Sequence, residues 1–251
     1  MKINRRYLAS LTLAVTAIAL LLSNFTYTPN ALAQDSDPSY YRTKTIHNPD
    51  GIGKYYMGRE IAQVMGHQAM NWLERESRAK EEKPDLTVQN LNLKPDSVVA
   101  DIGAGSGYFS FRIAQQVPEG KVYAVDIQPE MLNAITARKE NKHVDNVETV
   151  LGVEDNPNLP TESIDLAFMV DAYHEFAYPR EMMEGIVKAL KPGGRVVLLE
   201  YRKENPMIMI KPLHKMTQKQ VKKELKAVGL KWQETKQFLP QQHFLVFSKS
   251  A

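Results

Sequence analysis

Val98-Val99-Ala100-Asp101-Ile102-Gly103-Ala104-Gly105-Ser106-Gly107-Tyr108 decides how the rest of this chain reads. An apolar, β-branched run passes into three glycines spaced two apart, and a helical pattern follows over 108–117. Glycine permits a tight turn and lets a ligand approach the backbone where a side chain would collide. The helix behind the turn begins with N–H groups that have no partner inside the helix. In the dinucleotide fingerprint G-x-G-x-x-G, the third glycine would stand where this chain has Tyr108. Here it comes one place early, at Gly107, and Asp101 precedes the first glycine by two, giving the order D-x-G-x-G-x-G.

Downstream, a strand over 121–126 ends in Asp126, 19 residues after Gly107. A carboxylate at the carboxyl end of the second strand is placed to accept hydrogen bonds from ribose hydroxyls. Short apolar runs then alternate with helical spacing: a helix over 129–140, strands over 147–151 and 164–170, and a helix over 179–190. The turn Lys191-Pro192-Gly193-Gly194 leads to a strand over 195–200, a helix over 217–228 and strands over 230–238 and 243–248. This alternation predicts an α/β domain over 95–251, a doubly wound, mostly parallel seven-stranded sheet with helices on both faces. The four-residue link between the last two strands suits a hairpin, so the last strand should be antiparallel.

Ahead of the sheet, 34–54 is polar and turn-rich and reads as a linker. Ile61, Val64, Met65, Ala69, Trp72 and Leu73 recur at helical spacing over 59–78, and a second short helix is expected over 85–93. Residues 34–94 thus read as a linker and an N-terminal helical lid.

Lys2, Arg5 and Arg6 precede an apolar run over 8–22, and Ala31-Leu32-Ala33 supplies a small-x-small cleavage pattern. That order is the order of a secretory signal. The run of about 15 residues is short for a bilayer span of roughly 20. Residues 1–33 read as an export signal or, alternatively, an uncleaved anchor giving membrane association; the expected location is exported, periplasmic or membrane-associated. The formal charge of +3 comes from those three cations; the rest of the 251-residue chain is balanced and gives no reason to expect nucleic acid. Absence of cysteine excludes disulfides, thiolate metal sites and a cysteine nucleophile.

The D-x-G-x-G-x-G loop, Asp126, the run 164–170 and Leu190-Lys191-Pro192-Gly193-Gly194-Arg195 occur in the order found in class I, Rossmann-like S-adenosylmethionine-dependent methyltransferases, and residues 95–200 resemble that family. The resemblance implies S-adenosylmethionine as cofactor. It implies that Gly103, Ala104, Gly105 and Gly107 wrap its methionine portion and that Asp101 helps hold its amino group. It also implies that Asp126 holds the ribose and Ile127 packs on adenine, and Met131 matches a position in the family's D-x-x-x-x-M/L pattern. Glu154 or Asp155 would stand near the adenine amino group. Asp50-Gly51-Ile52-Gly53-Lys54 and Met57-Gly58-Arg59-Glu60 resemble an uncharacterised bacterial subgroup, which names no acceptor.

Methyl transfer from a sulfonium is an in-line displacement, so the protein must align the partners and exclude water. A base is needed only for a protonated acceptor. The place to look is the loop after the fourth strand, Asp171-Ala172-Tyr173-His174-Glu175-Phe176. His174 reads either as a base near neutral pH, oriented by Asp171 or Glu175, or as a packing residue. Tyr56, Arg59, His67 and Tyr173 are candidate acceptor or lid residues, with a structural role for His67 as the alternative. Lys211, His214 and Lys215 either border the acceptor pocket or lie in a solvated loop. The six histidines show no spacing such as H-E-x-x-H, so no metal is expected. The expected acceptor is a small or lipid-like molecule. The alternatives are a cofactor-binding protein without turnover and a nicotinamide-dependent oxidoreductase, against which Tyr108 stands.

Overall fold

The computed structural model describes residues 40–249. The export signal or anchor expected over 1–33 lies outside the described residues. Tyr41–Thr43 (β1), Gly51–Tyr56 (β2) and Arg59–Ala62 (β3) form a small antiparallel sheet. Met57 and Gly58, with φ of 46° and 99°, make the two-residue turn that joins β2 to β3. Positive φ at both turn residues matches the twist of a hairpin.

The helix expected over 59–78 is therefore not formed. Ile61 and Ala62 are buried by the strand, and the helical spacing of the later apolar residues is shared among short pieces. These are a 3₁₀ turn at His67–Ala69 and the helices α1 (Met70–Leu73), α2 (Arg78–Glu82) and α3 (Pro84–Gln89). Lys83, in the left-handed region, and Pro84 separate α2 from α3.

The main sheet uses β4 (Val98–Ile102), β5 (Lys121–Asp126), β6 (Val147–Leu151), β7 (Ile164–Val170), β8 (Leu190–Tyr201), β9 (Leu230–Lys236) and β10 (Gln242–Lys249). Their order is β6-β5-β4-β7-β8-β10-β9. The pairs β4–β5, β5–β6, β4–β7 and β7–β8 are parallel. As expected, β9 and β10 pair antiparallel; β10 also pairs antiparallel with β8 and so lies between them. The strand expected from Arg195 begins at Leu190, because Ile164 already pairs with Leu190 before a register shift.

Strand periodicity sorts the core onto two faces. Val99, Leu166, Phe168, Val197 and Phe244 pack toward α4 (Ser110–Gln116) and the inner side of α5 (Pro129–Lys142). Ala100, Ala167, Met169, Leu198 and Phe247 pack toward α6 (Pro179–Ala189) and α7 (Gln218–Ala227). Proline at the first helical turn, where its missing N–H costs nothing, starts α3, α5 and α6. The strand order reverses at β4 and β7, so a crevice opens at the carboxyl ends of these strands. Among the described residues no helix is long and apolar enough to cross a membrane.

Candidate active site at the strand-order reversal

A cavity of about 620 Å³ occupies that crevice. One wall is the loop after β4, another the start of the segment after β5, and a third the loop after β7. The stretches around Met65–Leu73 and Met209–His214 line its remaining sides.

Gly103 and Gly105 face the cavity with φ of 74° and 56°, a backbone region that suits glycine. A Cβ at Gly103 would stand 2.6 Å from Cβ of Ala172, and one at Gly105 would stand 2.5 Å from Cδ1 of Leu73. The backbone N–H groups of Gly103 and Ala104 both donate to the Val125 carbonyl, at 2.8 and 3.0 Å, anchoring the loop to β5. Asp126 closes the corner. Its Oδ2 accepts from the Gly105 N–H and its Oδ1 from the Gln128 N–H, both at 2.9 Å. Each oxygen retains acceptor capacity, and burial raises the carboxyl above its usual range. Ile127 and Met131 line the same wall, and Glu154 borders it. The cofactor implied by the sequence fits these residues: a glycine cradle that a side chain would fill, a carboxylate for ribose hydroxyls and an apolar wall for a base.

Other candidates from this motif stand back from the cavity. Asp101 is buried beneath the loop, where its Oδ2 accepts from the Ser110 hydroxyl at 2.6 Å. Burial pushes its carboxyl up to about 6, against the hydrogen bond from Ser110. Gly107 serves packing, since a Cβ there would meet Phe111 and Ile135 at 2.9 and 3.1 Å. Ala104 is buried within the loop, and Asp155 does not reach the cavity wall formed by its neighbour Glu154.

The loop after β7 brings the opposite wall. Asp171 adopts a φ of 50°, a strained value for a residue with a side chain. Its Oδ2 accepts from Gln242 at 2.6 Å, while Oδ1 is buried without a hydrogen-bond partner. Asp171 thus does not orient His174. That task belongs to Glu200 on β8, whose Oε2 is 2.6 Å from His174 Nδ1 and whose Oε1 accepts from the His174 N–H. On the other side of the ring, Nε2 lies 3.1 Å from Nδ1 of His214 and 3.7 Å from Oε1 of Glu175. Burial alone would lower the His174 ring, but Glu200 and Glu175 outweigh it and hold the ring up at about 10. With no metal ion beside it, the His174 ring so placed favours its protonated form, whereas the sequence reading offered a base near neutral pH or a packing residue. Burial would raise Glu175, but the His174 and His214 rings beside it, 3.7 and 3.3 Å away, outweigh this and hold it at about 2.

Tyr56, Arg59 and Tyr173 do not line the cavity. They gather on the sheet's other flank, where Glu224, fully buried, accepts from Arg59 Nε at 2.8 Å and from the Tyr173 hydroxyl at 2.8 Å. Arg59 also donates to the His174 carbonyl at 3.1 Å, so it braces the loop from behind. His67 starts the short 3₁₀ turn, half-exposed, with its N–H on Gln128 and its ring 3.6 Å from Glu130.

Glu200, Gln242 and Gln128 escaped the sequence reading. Glu200 carried a signal: an acid at an inward position of the run Val197-Leu198-Leu199-Glu200-Tyr201 needs a buried partner. Glutamines on other elements carry no comparable signal.

Comparison with known proteins agrees with this geometry. The family model described as "Methyltransferase domain" matches residues 93–243. An uncharacterised methyltransferase-like protein of Schizosaccharomyces pombe is 31% identical over 150 residues, 60% of this chain and 56% of that protein. A tRNA U34 carboxymethyltransferase of Desulfotalea psychrophila is 36% identical over 104 residues, 40% of this chain and 31% of that protein. The chain thus spans about half or less of the length of these curated relatives. A SAM-dependent methyltransferase from Aquifex aeolicus has the same fold, with a TM-score of 0.71 at 23% identity, over 74% of this chain and 100% of that one. With the glycine cradle, Asp126 and the strand order in place, this chain belongs to the methyltransferase-domain family, with S-adenosylmethionine as its cofactor.

Proposed function

We propose that this chain transfers a methyl group from S-adenosylmethionine to a small or lipid-like acceptor held inside the cavity. The observation that carries the reading is one cleft of about 620 Å³ with two kinds of wall. The glycine cradle and Asp126 lie on one side, and Asp171, His174, Glu175 and His214 on the other. Between them stand the apolar side chains of Met65, Leu73, Phe176, Met182 and Ile210. The cofactor supplies a methyl group already activated on a sulfonium, so the chain's own residues must position the acceptor and keep water out. Leu73 and Ile210 cover the space from two segments outside the main sheet. Apolar walls of this extent favour a small, largely apolar acceptor over the tRNA named for one relative.

The test is incubation with cofactor carrying a labelled methyl group and with separated small-molecule, lipid, RNA and protein fractions of cell extract. Label should enter a solvent-extractable fraction. Label confined to RNA or protein would overturn the acceptor class. Cofactor bound without transfer to any fraction would leave the binding protein without turnover.

We also propose that residues 1–33 direct export, supported by their charged, apolar and small-x-small order. Native protein should then begin at Gln34 on N-terminal sequencing. A chain beginning at Met1 in soluble cytoplasm would refute export.

A further inference from the structure

Three nitrogen and oxygen atoms meet at the acceptor side of the cavity. Nε2 of His174 and Nδ1 of His214 are 3.1 Å apart. Oε1 of Glu175 lies 3.3 Å from the His214 nitrogen and 3.7 Å from the His174 nitrogen. Side chains from two separate loops therefore converge on one point.

We propose that His174, Glu175 and His214 form a binding site for one first-row divalent metal ion, best matched by Zn²⁺, facing the acceptor end of the cavity. Two-histidine, one-carboxylate sets hold such ions with bonds of about 2.0–2.2 Å and leave a position open. Donors on a common ion at those bond lengths stand about 3.0–3.5 Å apart, for bond angles between the octahedral and tetrahedral values. Two of the three separations, 3.1 and 3.3 Å, fall in that range and the third, 3.7 Å between His174 and Glu175, lies just above it; a point about 2.1 Å from all three atoms lies off their plane. Two imidazoles disfavour Mg²⁺ and Ca²⁺, which take oxygen ligands.

A second, independent observation points the same way. Glu200 is fully buried and its Oε2 is 2.6 Å from His174 Nδ1. A carboxylate that accepts a hydrogen bond from one ring N–H fixes the tautomer in which the other nitrogen keeps its lone pair for a metal, and metal-bound histidines are held in this manner. Here that carboxylate fixes Nε2 toward the cluster. All three ligands also line the cavity, so the open coordination positions face the proposed acceptor space. The inference goes beyond the methyl-transfer reading and does not depend on it, since metal binding can be measured without turnover.

The experiment uses the full chain, purified without a histidine tag and stripped with a chelator. Zn²⁺ is then titrated by calorimetry, with Mg²⁺ as the contrasting ion. One Zn²⁺ should bind per chain and Mg²⁺ should not compete. His214→Ala, at a partly exposed position, should keep the melting profile and weaken Zn²⁺ binding by at least roughly 100-fold, while Glu200→Gln should weaken it roughly 10–100-fold. His67→Ala, outside the cluster, should bind as the parent does. X-ray absorption of the loaded protein should report two imidazole ligands. No Zn²⁺ uptake by the stripped parent chain, or uptake undiminished in folded His214→Ala, would overturn the proposal. Loss of methyl transfer with Zn²⁺ binding intact would count against the proposed function alone.

Discussion

Asp126 Oδ2 accepts a hydrogen bond from the Gly105 N–H at 2.9 Å, tying the end of the second parallel strand to the turn after the first. The two cofactor elements that the sequence separates by 21 positions are thus one mechanical unit. Asp126→Ala should weaken cofactor binding by about 1.5–3 kcal/mol, as for a hydrogen bond to a charged group. Asp126→Asn should cost less, because its side-chain carbonyl can still accept from Gly105. Calorimetric titration of both variants decides it; unchanged affinity in folded Asp126→Ala would remove Asp126 from the site.

Gly105 is held by two separate constraints, its φ of 56° and the 2.5 Å approach of a would-be Cβ to Leu73 Cδ1. Gly105→Val should abolish cofactor binding with little change in far-ultraviolet circular dichroism. Gly105→Ala should bind weakly, and adding Leu73→Ala should recover part of the affinity by relieving the contact. The left-handed conformation would still cost about 1–2 kcal/mol. If the double variant bound no better than Gly105→Ala, the clash with Leu73 would not be the cause.

How legible the molecule was in its sequence follows from these cases. The parallel strands and both cofactor landmarks were readable because period-two apolar runs and glycine spacing are local signals. The N-terminal region misled because Ile61, Val64 and Met65 fit helical spacing, while the deciding feature was a two-residue turn at Met57-Gly58. The acceptor-side cluster was legible only in part. His174 and Glu175 are adjacent, but His214 lies 40 positions away and Glu200 26, and only the sheet brings them together. A search for spaced metal motifs along one helix passes over ligands contributed by two loops.

The position of Arg59 separates a lid residue from a structural one. Its Nε lies 2.8 Å from the fully buried Glu224, which also takes the Tyr173 hydroxyl. Arg59→Met should therefore lose about 3–5 kcal/mol of stability, the cost of leaving a buried charge unpaired. Adding Glu224→Gln should return part of it. Chemical denaturation measures both effects. Below the melting temperature, cofactor affinity should be nearly unchanged, whereas a lid residue would lose affinity and keep its stability.

Asp101 gives a stability that depends on pH with a definite sign. Its carboxyl sits at about 6 because burial disfavours the charged form, against a usual value of about 3.9. A raised carboxyl holds its proton more tightly in the folded state. Its contribution is therefore fully present below about pH 4 and is lost as pH rises through about 6. A difference of about two units corresponds to about 3 kcal/mol. Asp101→Asn can still accept the Ser110 hydroxyl bond but carries no charge. In urea denaturation it should match the parent chain at pH 4, exceed it by up to about 3 kcal/mol at pH 7.5, and show a flatter profile between. An equal pH dependence in both chains would show that folding does not raise the Asp101 carboxyl. The same variant tests the amino-group role implied by the family. If Asp101 pairs with the cofactor's ammonium, binding near pH 5.5 should release a proton, so the binding enthalpy should vary with the ionisation enthalpy of the buffer. Asp101→Asn should lose both that variation and affinity. A variant that binds cofactor as tightly as the parent would confine Asp101 to holding Ser110 and the start of the helix behind the loop.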